Sequence, residues 1–369
     1  MYSKLYINSK VVSGRNCLCE NSNMLSALGE KCLIVTSKSS AKKSGALDDA
    51  ISALKKQGIE YSVFDKITEN PLVSTVIEGG AEARKIGADF IIGIGGGSPL
   101  DASKAVAICA CNPEFDIDGL YNRKIPAKAL PVVLIGTTSG TGSEVTGVSV
   151  LTNDKTMQKK SISGSDCYAS LVFADDKYTY SMGYDITVST ALDAFAHAVE
   201  GWFSPRCDEI AKAYARLALP KIYKGLKALS ESTDLPDEKI REDLYYGSVF
   251  AGLQLNICGA AFPHTVGYIL TENFNIPHGK ACTALMPYFL GKAKRYEAEK
   301  FHELLRLVGE NEQAVIAMVK KLTNVNNLKM TDEQINEWCS RWGDVKNFHN
   351  TPGDFNSDEA IIALKELTV

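Results

Sequence analysis

The chain has 369 residues, 45% of them hydrophobic and 23% charged, with a formal net charge of -4. That is enough chain for two domains with full cores. The acidic balance argues against nucleic acid as a partner, and no apolar run approaches the roughly 20 residues of a membrane span.

The opening stretch, MYSKLYINSKVVSG, carries no signal-peptide core, so a cytoplasmic protein is expected. None of the ten cysteines forms a C-x-x-C pair, and several sit in apolar runs (CLIVT, AICAC, NICGAA). They read as free, buried thiols of a reducing compartment.

The first half alternates. CLIVT (32–36) reads as a strand; SGALDDAISALKKQG has Leu47, Ile51 and Leu54 at helical spacing and Gly58 as a C-cap. YSVFD reads as a strand, TVIEGGAEARKIG as a helix, and ADFIIGIGGG holds an apolar strand over 90–94. SKAVAICA begins an amphipathic helix, NPEFDIDG reads as a loop, and PVVLIG (131–136) as another buried strand. Apolar strands alternating with helices predict a parallel sheet covered on both faces. From about residue 186 the segments are long and helical, with few strand signals. The expected division is an α/β domain over 1–184 and an all-α domain over 185–369.

Four glycines in five residues, Gly93 and Gly95–Gly97, end the third strand. Glycine lets backbone N–H groups approach a phosphate, and the next helix adds its positive end. A P-loop fails because no lysine follows at its spacing. The dinucleotide pattern G-x-G-x-x-G is imperfect: Ser98 takes the third place, and Glu114 and Asp116, near the acidic position, lie in a loop. A structural tight turn competes with phosphate binding. A second small-residue loop, GTTSGTGSEVTG (136–147), follows its strand in the same way. After the first strand come Ser37, Lys38, Ser39, Ser40, Lys42 and Lys43. Hydroxyls and cations without a carboxylate suit the 2′-phosphate of NADP better than the free ribose of NAD; a solvated loop is the plainer reading.

Of five histidines, His302 and His349 stand in polar surroundings and read as surface residues. Asp193 and His197 are four apart in the apolar ALDAFAHAVEGW, while His264 and His278 lie in the apolar GAAFPHTVGYIL and IPHGKACTALMPYF. Unpaired in a core, each would be costly. A divalent metal would satisfy all four, iron(II) or zinc by ligand type; core histidines with local hydrogen bonds are the alternative.

GGGSPLDASK (95–104), TTSGTGSEV (137–145) and the Asp193/His197/His264/His278 set resemble the iron-dependent, or group III, alcohol dehydrogenases, over nearly the whole chain from CLIVT to NTPGDF. The likeness is strongest to NADPH-dependent butanol and 1,3-propanediol dehydrogenases. It implies an N-terminal dinucleotide-binding α/β domain with a parallel sheet and an all-α C-terminal domain, the fold shared with dehydroquinate synthase. It implies a catalytic iron, or zinc, on Asp193, His197, His264 and His278. For NADP(H), or less expectedly NAD(H), it implies Gly96, Gly97, Ser98 and Asp101 at the pyrophosphate and Thr137, Thr138 and Thr141 near the nicotinamide. By the same resemblance Asn70 is expected near the ribose, Lys159 or Lys160 is expected to reach the cofactor, Thr179 and Met182 to make further contacts, and Ser37, Ser39 and Ser40 to form the ribose-reading loop. The expected substrate is a small alcohol or aldehyde, and the expected assembly a homodimer or higher homo-oligomer.

Many members carry a histidine where this chain has Tyr268, which puts a proton relay through that position in question. NAD-using members often have Asp where Ser37 stands. Val148, Ser149, Phe250, Leu253 and Phe262 are candidate pocket residues. The competing readings are a zinc glycerol-dehydrogenase-like polyol enzyme, a dehydroquinate-synthase-like lyase, and a non-catalytic binding protein. The lyase needs a basic pocket, whereas 249–291 holds a single lysine, Lys280.

Overall fold

A computed structural model describes residues 6–343, 345–353 and 355–368; residues 1–5 of the opening stretch, residue 344, residue 354 of NTPGDF and residue 369 lie outside it. The chain divides into two compact units, Tyr6–Met182 and a second from Gly183 onward.

The first unit carries eight strands: β1 Lys10–Ser13, β2 Lys31–Thr36, β3 Glu60–Phe64, β4 Phe90–Gly95, β5 Val132–Gly136, β6 Val148–Thr152, β7 Lys159–Ser163 and β8 Leu171–Ala174. Its helices are α1 Cys17–Glu20, α2 Ser40–Lys43, α3 Ala46–Lys56, α4 Val73–Ile86, α5 Gly97–Cys111 and α6 Ile117–Tyr121. Six strands form one sheet in the order β1-β8-β5-β4-β2-β3, parallel throughout. β6 and β7 make a separate antiparallel hairpin.

The apolar runs become strands because both faces are covered. On one face Cys32, Ile34, Ile92, Ile94 and Ile135 join Ala46, Ala50 and Leu54 of α3 in a single core. The order of the strands reverses direction between β2 and β4, and the carboxyl ends beside such a switch are where open α/β sheets bind ligands.

Three expectations change. The helix after β4 starts at Gly97, not at Ser103: Pro99 lacks an N–H that the first turn could not bond anyway, so the turn accepts it. That helix is buried almost all round from Pro99 to Ala110 rather than along one stripe, because it meets the sheet, α4 and β6. NPEFDIDG is only partly loop: the Asp116 carboxylate caps α6 by accepting from Gly119 N (2.8 Å).

In the second unit the described residues form helices and no strand. They are α7 Tyr184–Phe203, α8 Glu209–Glu231, α9 Glu238–Cys258, α10 Phe262–Phe274, α11 His278–Ala284, α12 Met286–Tyr296, α13 Ala298–Val308, α14 Glu312–Thr323, α15 Asp332–Ser340 and α16 Ser357–Lys365. α7 is the axis of this unit, buried without a break from Ala191 to Phe203, and its Phe195, Trp202 and Phe203 share one core with Phe262, Phe289 and Phe301. Among the described residues no helix is long and apolar enough to cross a membrane.

Candidate metal centre and dinucleotide loops

Three helices of the second unit deliver the centre. α7 presents Asp193, His197 and Glu200 at helical spacing, so all three fall on one face. α10 begins just before His264, and α11 begins at His278. α11 approaches α7 closely because Gly279 has no side chain: a Cβ there would stand 1.8 Å from Ser189 O. Thr283 Oγ1 donates to Leu192 O (2.9 Å) and fastens the other end of α11.

The result is a cluster buried except at His278, which is partly exposed. His264 Nε2 lies 3.3 Å and His278 Nε2 3.9 Å from Asp193 Oδ1. His264 Nδ1 donates to Glu200 Oε1 (2.6 Å), and Ala261 N donates to the other Glu200 oxygen (2.6 Å). Glu200 therefore fixes the tautomer and leaves Nε2 toward Asp193, the usual arrangement behind a metal-bound imidazole. The ring of His197 stacks on that of His264 at 4.2 Å, and Tyr268 stacks on His278 at 5.4 Å. Donor atoms of Asp193, His264, His278 and Cys282 all lie within 4.8 Å of one another. Carboxylate, imidazole and thiol donors converging in this way fit a divalent cation.

The charges agree. Burial opposes ionisation of Asp193, but His197, His264 and His278 outweigh it and hold the carboxyl well below its usual range. Burial also disfavours a charged His264, yet with no ion bound Glu200 and Asp193 push its pKa up to about 10, so a cation would take the place of the proton on Nε2. Two carboxylates over this small volume favour a cation at the centre.

The sequence paired Asp193 with His197 and brought in His264 and His278; it missed Glu200 and Cys282. Their signals were present, as Glu200 is seven residues after Asp193 and Cys282 four after His278. His302 and His349 are exposed.

In the first unit three loops gather at the carboxyl ends of β2, β4 and β5. Thr36 Oγ1 donates to Ile94 O (2.8 Å) and Thr137 N to Gly95 O (2.9 Å), which aligns the strand ends. Gly95 has φ +152°. A Cβ on Gly97 would stand 2.6 Å from Thr141 Cγ2, and one on Gly96 3.0 Å from Thr138 Cγ2. The glycines thus let the threonine loop close on the N-terminus of α5. Ser98 Oγ accepts from Asn70 N (3.3 Å). Thr152 N donates to Pro71 O (2.8 Å), and Lys159 pairs with Thr152, so the hairpin end is tied to the turn that carries Asn70. Ser37 and Ser40 bond through their hydroxyls (2.6 Å), and Ser39 is exposed. Thr179 and Met182 follow β8; Thr179 Oγ1 donates to Asp176 O (2.7 Å).

Several of the expected cofactor residues have partners within the protein. The Asp101 carboxylate accepts from Ser143 Oγ (2.5 Å) and Val150 N (2.8 Å), with Lys104 Nζ 3.5 Å away. It is a brace for the 143–150 segment, because burial among these donors uses its oxygens. Lys160 lies over the Tyr121 ring at 4.6 Å. Ser149 is buried, donating to Asp101 O (2.8 Å), and Phe262 is buried and stacked on Phe355 at 4.1 Å.

A parallel-sheet unit with phosphate-type loops and a helical unit with a carboxylate–histidine centre together define a metal-linked dinucleotide oxidoreductase class. Residues 8–176 match the family model "Iron-containing alcohol dehydrogenase", and residues 187–362 match "Fe-containing alcohol dehydrogenase family, C-terminal". The chain is 32% identical over 307 residues to a 1,3-propanediol dehydrogenase of Citrobacter freundii, covering 80% of this chain and 78% of that protein. It is 26% identical over 331 residues to an NADPH-dependent butanol dehydrogenase of Clostridium saccharobutylicum, covering 86% and 83%. The crystal structure of a sulfoacetaldehyde reductase from Bifidobacterium kashiwanohense, in complex with NAD+, superposes with a TM-score of 0.88 at 29% identity, covering 100% and 99%. The chain belongs to the iron-containing alcohol dehydrogenase family.

Proposed function

We propose that this family member is an NADP(H)-preferring aldehyde reductase and alcohol dehydrogenase acting on a primary alcohol or small diol. Asp193, His197, His264 and His278 would hold iron(II), or zinc, and the observation that carries the reading is the convergence of Asp193, His264 and the partly exposed His278, with His197 stacked on His264 and Glu200 behind it. When bound, the metal polarises the substrate oxygen and the nicotinamide gives or takes the hydride.

The chain's own residues do the rest. Asp193 supplies the negative charge, and Glu200 orients His264. Tyr268 stacks on His278 and brings no second imidazole for a proton relay. The free amides at the start of α5 and the Thr137–Thr141 loop would receive the pyrophosphate and nicotinamide halves. NADP preference rests on the loop after β2, where Ser37 and Ser40 face each other and no carboxylate stands between Ser37 and Lys43; the two cofactors named among the relatives differ, so this loop is the discriminating feature. A cytoplasmic homodimer belongs to the same reading.

The test is anaerobic butanal reduction by metal-stripped protein, with iron(II) or zinc added back and NADPH and NADH side by side. Turnover should return with metal and run faster with NADPH. Equal rates would remove the NADP preference; no turnover with either cofactor, despite metal and dinucleotide binding, would favour the lyase-like chemistry.

A further inference from the structure

Two cysteines meet in the second unit, away from the metal centre. Cys258 is the last residue of α9, and Cys207 stands just before Asp208, whose carboxylate caps α8. Their thiols hydrogen-bond to each other and pack in a small apolar cluster with Ala211, Ile257 and Tyr214. Polar bonds already hold the two segments together. Cys258 O accepts from Ser204 Oγ (3.1 Å) and from Arg206 Nη2, and Cys207 N donates to Ser204 O (3.0 Å). Cys258 is buried, whereas Cys207 is partly exposed. The bond from Cys258, with Lys300 and Lys212 nearby, holds the Cys207 thiol below its usual range in spite of burial. The same bond, together with burial, pushes Cys258 up. The other two partly exposed cysteines, Cys19 and Cys111, are both pushed up by burial.

We propose that Cys207 and Cys258 form a peroxide-responsive pair that closes reversibly into a disulfide, Cys207 attacking and Cys258 resolving. A partly exposed thiolate beside a second thiol is the arrangement that oxidises selectively. The Cys207 sulfur attacks one oxygen of the peroxide. An S–O bond forms, the O–O bond breaks, and the departing hydroxide takes up the proton that Cys207 had released. Cys258 then displaces the sulfenic oxygen: the S–S bond forms, the S–O bond breaks, and the hydroxide leaves as water with the Cys258 proton. The two sulfurs lose two electrons, and the peroxide gains them as it becomes two waters. A dithiol reductant reverses the bridge by exchange. Cys258 stands three residues before Ala261, whose N–H holds Glu200 behind His264. The bridge therefore ties the base of that segment to the turn after α7. Neither sulfur is a ligand of the metal centre, so the inference stands apart from the metal and cofactor reading.

The experiment treats the reduced, zinc-loaded full chain with a few equivalents of hydrogen peroxide; zinc has no redox chemistry of its own. The remaining thiols are alkylated after denaturation, and the unreduced digest is read by mass spectrometry. The expected result is loss of two of the ten free thiols and a linked pair of peptides carrying Cys207 and Cys258. The pair should be two hydrogens lighter than the sum of its parts, and dithiothreitol should return both thiols. Cys258→Ser, treated with peroxide and dimedone, should carry the adduct on Cys207, whereas Cys207→Ser should keep Cys258 as a free thiol. A full count of thiols in the unaltered chain, or oxidation that falls on other cysteines instead, would overturn the proposal. Dimedone on Cys258 in the Cys207→Ser chain would overturn the assigned roles. Should either variant fail to fold, the presence or absence of the linked pair in the unaltered chain decides the matter.

Discussion

At the scale of single residues, Ser37 is the position with the most to say about cofactor choice. Its hydroxyl is held by Ser40 at the end of β2, and Lys38, Lys42 and Lys43 follow. A carboxylate placed there would repel a 2′-phosphate and accept from a free 2′-hydroxyl. Ser37→Asp should raise KM for NADPH on the order of tenfold or more, since juxtaposed like charges cost several kcal/mol, while KM for NADH stays level or falls. Equal losses for both cofactors would show that this loop does not read the ribose. Asp193 and His197 were legible because two polar residues at helical spacing stand out in an apolar run. Glu200 was not, because a glutamate near a helix end reads as solvated until Ala261 and His264 are seen to reach it.

Among elements, the contact of α11 with α7 governs the centre. Gly279→Ala would drive a methyl group into the Ser189 carbonyl and against Asp193, whose Cβ would be 2.9 Å away. Neither backbone can yield without moving Asp193 or His278. The expected cost is about 3 kcal/mol or more, the upper range for overpacking, together with loss of bound metal; chemical denaturation and metal analysis on the same preparation would check both. Full retention of metal would mean that α11 slides freely. Strands β2 to β5 were legible from β-branched runs ending in glycine or polar loops. β1 was not, since only Val12 of its residues is even half-buried. β6 and β7 were not either, because each is anchored by distant groups, Lys104 Nζ donating to Val148 O (2.7 Å) among them. The start of α5 was misplaced because glycines and a proline look like loop until their burial is known.

For the whole molecule, stability against acid turns on buried ion pairs more than on the net charge. Arg123 grips Asp166 through two bonds, Nε to Oδ2 (2.8 Å) and Nη2 to Oδ1 (2.9 Å), with both side chains buried. Burial alone would raise the Asp166 pKa, but the Arg123 guanidinium and Ala127 N overcome it and hold the carboxyl below its ordinary range. The folded pKa is therefore lower than the unfolded one, near 3.9 for a free aspartate. The stabilisation is fully present above that unfolded value and is lost as pH falls through the folded one. Asp166→Asn should cost about 3–5 kcal/mol at neutral pH, the usual result of leaving one partner of a buried pair alone. The difference from the unaltered protein should shrink as pH drops through that window, as urea titrations at a series of pH values would read. A constant difference would mean that the pair is not what acid breaks. The sequence could not place this pair, because nothing in the spacing of arginines and aspartates shows which of 40 basic and 44 acidic residues meet inside.

The near-touch of Gly279 and Ser189 also bears on inheritance. The width of the centre is fixed by main chain resting on main chain, and main chain is common to every residue type. The leucines, phenylalanines and alanines packed around α7 can therefore be exchanged over generations without rescaling the distance between donors. Descendants of such a chain can diverge through most of the helical core and still keep the same chemistry, provided one hydrogen atom stays where a side chain would otherwise begin.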